Sequence, residues 1–199
     1  AVPRGTRFLE PSPQRAGDPA KGYDYLVYGD YVSSGVPLAL FREVAGSSPL
    51  DLGRGGLSKG VPYRFNVVKT AGGAELVAPN CLTCHAEQLD GRLVVGLGNN
   101  TDDHTVHAAV QATAAGMATL LKYGPDSAEV RGYQPIQRSQ QAIGPLITTR
   151  VRGVNPADKI FAALAAHRKA EDLSWLEQRQ FDVPADTVPT DVPAWWLLK

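Results

Sequence analysis

The chain has 199 residues, 43% hydrophobic and 20% charged, a balance that fits one folded domain and excludes a disordered or fibrous chain. Lys plus Arg equals Asp plus Glu, so no basic surplus points to nucleic acid or to an anionic membrane surface. No apolar run is long enough to span a bilayer, and Ala1-Val2-Pro3-Arg4-Gly5 lacks the charged-then-apolar opening of a signal peptide.

Residues 1 to 24 hold four prolines and three glycines and are expected to form an extended arm, with a single domain over 25–199. Tyr23, Tyr25, Tyr28 and Tyr31 follow. Ser34-Gly35-Val36-Pro37 reads as a helix start, with Pro37 in the first turn and Gly46 as the stop. From Pro62 the period changes to alternation. Tyr63, Phe65 and Val67, the turn Ala71-Gly72-Gly73, and Glu75-Leu76-Val77 predict a small hairpin. Asp90-Gly91 predicts a second turn, leading into a strand at Arg92-Leu93-Val94-Val95.

Thr101-Asp102-Asp103 offers a cap and an acidic first turn for the longest expected helix, which runs to about Tyr123. Its expected buried stripe is Val110, Ala114, Met117 and Leu121. A further helix is expected around Ile136 to Ile143. Another starts near Asn155-Pro156 and presents Ile160, Leu164 and His167. The fold class expected from these elements is mainly α, a cytochrome c-like domain with short β-hairpin additions and long loops.

The chemistry sits between the predicted hairpin and the second predicted turn, at Cys81-Leu82-Thr83-Cys84-His85, which uses both cysteines of the chain. C-x-x-C-H is the attachment pattern of a c-type haem. Each thiol can add to one vinyl group of a single porphyrin, and the adjacent histidine becomes the proximal ligand of its iron. Three other readings compete with this one. A thioredoxin-like redox pair requires a βαβ setting that is not visible here. Zinc would draw on Cys81, Cys84, His104 and His107, with a longer loop and a tighter H-x-x-H spacing than a zinc finger has. A plain disulfide is the third.

The sixth iron ligand decides between electron transfer and chemistry at an open iron. The candidates are His167 first, Met117 second, then His104 and His107. Arg92, Arg150 and Arg152 are candidate partners for the haem propionates, since anionic carboxylates pair well with guanidinium groups.

Asn80 through Ala86, Gly91 through Asn99, Ala166-His167-Arg168 and the closing run Val188 through Lys199 resemble the first haem region of large bacterial c-type cytochromes. Those cytochromes are related to di-haem peroxidases and rubber oxygenases. The resemblance implies one covalent haem c in a periplasmic or secreted bacterial protein, and it adds weight to His167. Such relatives carry a second C-x-x-C-H, which this chain lacks, so a second haem domain or chain is a candidate partner. The expected function is one-electron transfer with redox partner proteins. The alternative is a haem module of a peroxidase- or oxygenase-like enzyme with an open distal site. Because c-type haem is attached after export in bacteria, Ala1 is read as lying downstream of a removed export signal or anchor.

Overall fold

The computed structural model describes residues 16–185 and 192–197. Within them lie five α-helices and five short strands, grouped into two small antiparallel sheets. This is an α+β architecture, which corrects the mainly-α expectation. Alternating patterns that read as decorations on a helical core instead build sheets that carry core of their own. No helix among the described residues is long and apolar enough to cross a membrane.

Helix α1 spans Pro19–Tyr28 and is capped by the Asp18 carboxylate, which accepts from the Ala20 and Lys21 amides. The end of the expected extended arm is therefore helical, while residues 1–15 lie outside the described part. Strand β1, Val36–Pro37, leads straight into α2, Leu38–Ala45, which ends at Gly46 as anticipated. The first predicted hairpin is present. Strand β2, Phe65–Lys69, pairs antiparallel with β3, Glu75–Pro79, and β1 adds to the other edge of β3. The second hairpin joins β4, Ala86–Leu89, to β5, Arg92–Val95, through Asp90 at φ 49° and Gly91 at φ 74°. Two consecutive left-handed residues are what a tight hairpin turn demands, and Asp-Gly supplies them at low cost.

Helix α3 spans Ala108–Tyr123, starting later than Thr101 because residues 101–107 form a loop that packs elsewhere. Helix α4 covers Ala128–Ile147 and is the longest, far exceeding the expected stretch from Ile136 to Ile143. Helix α5 is Ala157–Ala166. The stripe expected to be buried on α3 faces outward: Met117 is 60% exposed, and Val110 and Leu121 are also exposed. The helix instead buries small residues, Ala112 and Thr119, against α4. Apolar periodicity identifies a face, but not whether a neighbour covers it.

Two prolines inside α4 explain why its extent is hidden in the sequence. Proline lacks an amide hydrogen and displaces the preceding turn. At Pro135 the damage is repaired from outside the helix. The Ser34 hydroxyl donates to the Gly132 carbonyl at 2.8 Å and accepts from the Ile136 amide at 2.9 Å. A residue about a hundred positions away thus lets the helix continue.

The core is divided. One cluster joins α4 and α5 through Ile143, Ile147, Ala163 and Ala166. Another surrounds Leu82 and Ala86 with Val27 and Tyr63. Sheet residues Val68, Leu76 and Ala78 form a third, and Leu38, Val61 and Val77 a fourth.

Between α1 and β2, Arg54 is 3% exposed. Its guanidinium donates to the carbonyls of Asp51, Val27, Phe65, Val61 and Pro62 at 2.7–3.0 Å. Arg54→Lys keeps the charge but has too few donors and the wrong shape to serve all five carbonyls. It is expected to cost about 3 kcal/mol. Ser34→Ala is expected to cost about 1–3 kcal/mol by leaving two backbone groups of α4 unpaired. Denaturant titration checks both. Midpoints matching the parent would contradict these roles.

Candidate functional site

The Cys-x-x-Cys-His stretch is a single tight turn between the two hairpins. Asn80 caps it: the Asn80 side-chain oxygen accepts from the Leu82 amide at 2.9 Å, and residues Cys81–Thr83 then form one turn of 3₁₀ helix. The Cys81 carbonyl receives both the Cys84 and His85 amides, at 3.3 and 3.0 Å, so the three chemical side chains share one backbone knot. Leu82 points into the core and is fully buried, which turns its neighbours away from it. Cys81 is exposed, Cys84 is half-buried, and the two thiols are not bonded to each other. The plain disulfide is absent from this structure.

A polar chain fixes the turn to the rest of the fold. The Asn80 amide donates to the Asn66 side-chain oxygen and to the Tyr63 carbonyl, both at 2.8 Å. Asn66 in turn donates to the Gly29 carbonyl at the end of α1. On the other side, the Thr83 hydroxyl donates to the Arg64 carbonyl at 2.8 Å. The Asn99 amide donates to the Cys84 carbonyl, and the Gly96 amide to the His85 carbonyl, each at 2.8 Å.

The described part of the closing run, 192–197, docks here. The Trp195 amide donates to the Gly96 carbonyl at 2.9 Å, and the Trp195 ring lies 5.2 Å from the His85 ring. Gly98 permits this approach, since a Cβ at that position would lie 1.9 Å from the Val192 carbonyl oxygen. Residues 188–191 and 198–199 of that run lie outside the described part.

Burial pushes the His85 ring below the ordinary histidine pKa, opposed by the Pro193 carbonyl. The ring is therefore held neutral, and its Nδ1 is buried without a hydrogen-bond partner. Burial pushes the Cys84 thiol up, opposed by a hydrogen bond from the Asn155 side chain. A raised thiol is a poor thiolate, which argues against a redox-active pair activated in the thioredoxin manner.

Sequence reading missed the polar groups packed behind Cys84. Arg64 pairs with Asp102 in a part-buried ion pair. Burial works against the Arg64 charge, but the hydrogen bond and attraction from Asp102 prevail and raise its pKa. His104 lies half-buried beside this pair, and burial lowers its pKa against the pull of Asp102. The alternating pattern around Arg64 marked a strand edge but carried no sign of a partner 38 residues away.

The remaining candidates stand apart from the motif. Arg92 and Arg150 are exposed, and Arg152, also exposed, donates to the Thr101 carbonyl at 3.0 Å. His107 is exposed at the start of α3. Among the described residues no three His, Cys, Asp or Glu side chains come together as a metal site, so the proposed zinc set is not assembled. His167 is 4% exposed, with Nδ1 2.7 Å from the Leu176 carbonyl and its ring stacked 4.7 Å from Trp175. It lines a cavity of about 500 Å³ with Glu177 and Asp182, and neither His167 nor Met117 shares a ring contact or described cavity with His85. None of the five described cavities is lined by Cys81, Cys84 or His85.

The two lowered histidines set a pH dependence. Below about pH 6.5 the unfolded chain binds protons at His85 and His104 that the folded chain resists, so stability falls as pH drops through that range. Thermal melts between about pH 7.5 and 5.5 should show a falling Tm. His104→Gln should flatten that fall. An unchanged slope in the variant would contradict a buried, neutral His104.

No family model matches the chain, and no curated protein or solved structure does.

Proposed function

We propose that Cys81 and Cys84 carry one covalently attached haem c, that His85 ligates its iron, and that the protein passes single electrons between redox partner proteins in the bacterial periplasm. The observation that supports this reading is the Cys81–His85 turn itself. It carries the exposed Cys81 thiol, the half-buried Cys84 thiol and a neutral imidazole on one backbone knot, with the two thiols not bonded to each other. Those are the groups that covalent haem attachment requires at that spacing.

Cys81 and Cys84 would hold the group as thioethers, each sulfur bonded to one vinyl carbon and each thiol hydrogen to the other, with no atom lost. His85 stays unprotonated at neutral pH, the form in which imidazole binds metal, because burial disfavours the cation. The Trp195 ring packs against the His85 ring at 5.2 Å. A haem iron bound there supplies a one-electron couple at a potential tuned by its ligands and surroundings. His167 remains the first distal candidate, since the Leu176 carbonyl fixes its Nδ1 in the manner of a supported metal ligand. Met117 is the second.

One observation favours the alternative, an open distal site of peroxidase- or oxygenase-like character. Neither distal candidate shares a ring contact or described cavity with His85, and Met117 lies on an exposed helix face.

The test is the exported protein's intact mass and the visible spectrum of its reduced form before and after carbon monoxide. A mass gain of one haem is expected, reduced to loose or single-bond attachment in Cys81→Ser and Cys84→Ser. An unchanged spectrum under carbon monoxide supports a closed electron carrier. A prompt shift transfers support to the open-site enzyme. A chain that takes up no haem overturns both.

A further inference from the structure

Helix α3 has two opposite faces that could pack, and the fold covers only one. Ala112 and Thr119 are buried on the side toward α4. The Tyr133 hydroxyl donates to the Ala112 carbonyl at 2.8 Å, and a Cβ on Gly116 would collide with the Gln137 side-chain amide. Val110, Ala114, Met117 and Leu121 stand on the other side, within an arc of about 60° at 100° per residue. Val110 is 66% exposed, Met117 60% and Leu121 83%, and Leu120 widens the stripe at 45%. The one charged residue of the helix, Lys122, is engaged by Glu43 of α2. A solvated helix face is normally polar, whereas apolar residues spaced 4, 3 and 4 apart make the seam of a helix pair.

The stripe is complementary to itself. Val110 and Leu121, and likewise Ala114 and Met117, lie symmetrically about the point between Ala115 and Gly116. A second copy laid antiparallel across a two-fold axis at that point sets Val110 against Leu121 of the second copy. It also sets each Ala114 against the Met117 of the other chain, so that a long flexible side chain fills the hollow left by a small one. Each contact is then made twice, as a two-fold interface requires. A parallel pairing would instead face alanine with alanine and leave a void.

The size of the face fits the same occupant. Large apolar side chains offer about 150–200 Å² each, so the exposed parts of Val110, Met117, Leu120 and Leu121 come to roughly 400–500 Å² per copy. Two copies would bury roughly 800–1,000 Å², the size of a weak, reversible dimer rather than an obligate one. No like charges meet across the seam, and the chain's net charge of zero adds no long-range repulsion.

We propose that the exposed face of α3 is a homodimer interface, in which Val110, Ala114, Met117 and Leu121 pair antiparallel with the same residues of a second copy. The pairing is independent of the haem reading, since no part of the Cys81–His85 turn enters it.

Sedimentation equilibrium of the full chain across micromolar concentrations tests it. The parent is expected to associate reversibly into dimers. Val110→Glu and Leu121→Lys each place a charge against an apolar residue and should weaken association about tenfold or more. Combining them should restore it at low salt and lose it again at high salt, because each new carboxylate faces the new ammonium of the other copy only in the antiparallel register. All these positions are exposed, so thermal melts of the variants should match the parent and separate lost association from lost folding. A parent that stays monomeric, or single variants that associate as the parent does, would overturn the interface. A double variant no better than the singles would overturn the antiparallel pairing.

Discussion

The Arg54 guanidinium, buried between α1 and β2, is the constraint on which the rest of the structure depends. A buried charge normally needs a counter-charge, and losing its water costs several kcal/mol. Here burial lowers the Arg54 pKa, and its hydrogen bonds go to five backbone carbonyls and the Asn66 side-chain oxygen, with Asp51 near enough to attract the charge. Those carbonyls come from the end of α1, the loop at 51–62 and the start of β2. The loop has few backbone partners of its own, so the guanidinium does what a sheet ladder does elsewhere.

The network then passes through side-chain amides to the chemistry. Arg54 and Asn80 both donate to the Asn66 side-chain oxygen, at 3.4 and 2.8 Å, and the Asn80 oxygen caps the turn that carries Cys81, Cys84 and His85. Buried amides of this kind are costly unless every donor and acceptor is served, and in return they hold one geometry. A short turn with two exposed or half-exposed thiols would otherwise have little to define it. Leu82 anchors it from the apolar side, and the Asn66–Asn80 pair from the polar side.

Behind the turn lies a second layer with the opposite character. Hydrogen bonds from the Thr149 and Gly153 amides tie the His104 and Asp102 carbonyls to the loop before α5, yet Arg64, His104 and Asn155 each keep a polar atom without a partner. The network in front of the turn pairs its side-chain amides, whereas the layer behind it leaves polar atoms unpaired. Trp195, docked through Gly96 and Gly98, closes the His85 side.

Local patterns were legible in the sequence wherever the determining residues are neighbours. The hairpin at Phe65–Pro79 follows from alternation, the turn and strand at Asp90–Val95 from Asp90-Gly91, and the end of α2 from Gly46, whereas strand β4 and the pairing of Val36–Pro37 as β1 were not legible. The Cys-x-x-Cys-His turn likewise follows from five consecutive residues and the Asn80 cap. What the sequence hid depends on distant partners. Helix α4 runs through Pro135 only because Ser34 bridges the break, and the α3 stripe at Met117 faces outward because α4 packs against Ala112 and Thr119 instead. The balance between helix and sheet, and the meeting of Arg64 with Asp102 and His104, were decided in the tertiary structure. Turn chemistry and pattern period act over a few residues, whereas burial and polar pairing are settled only when separate segments meet.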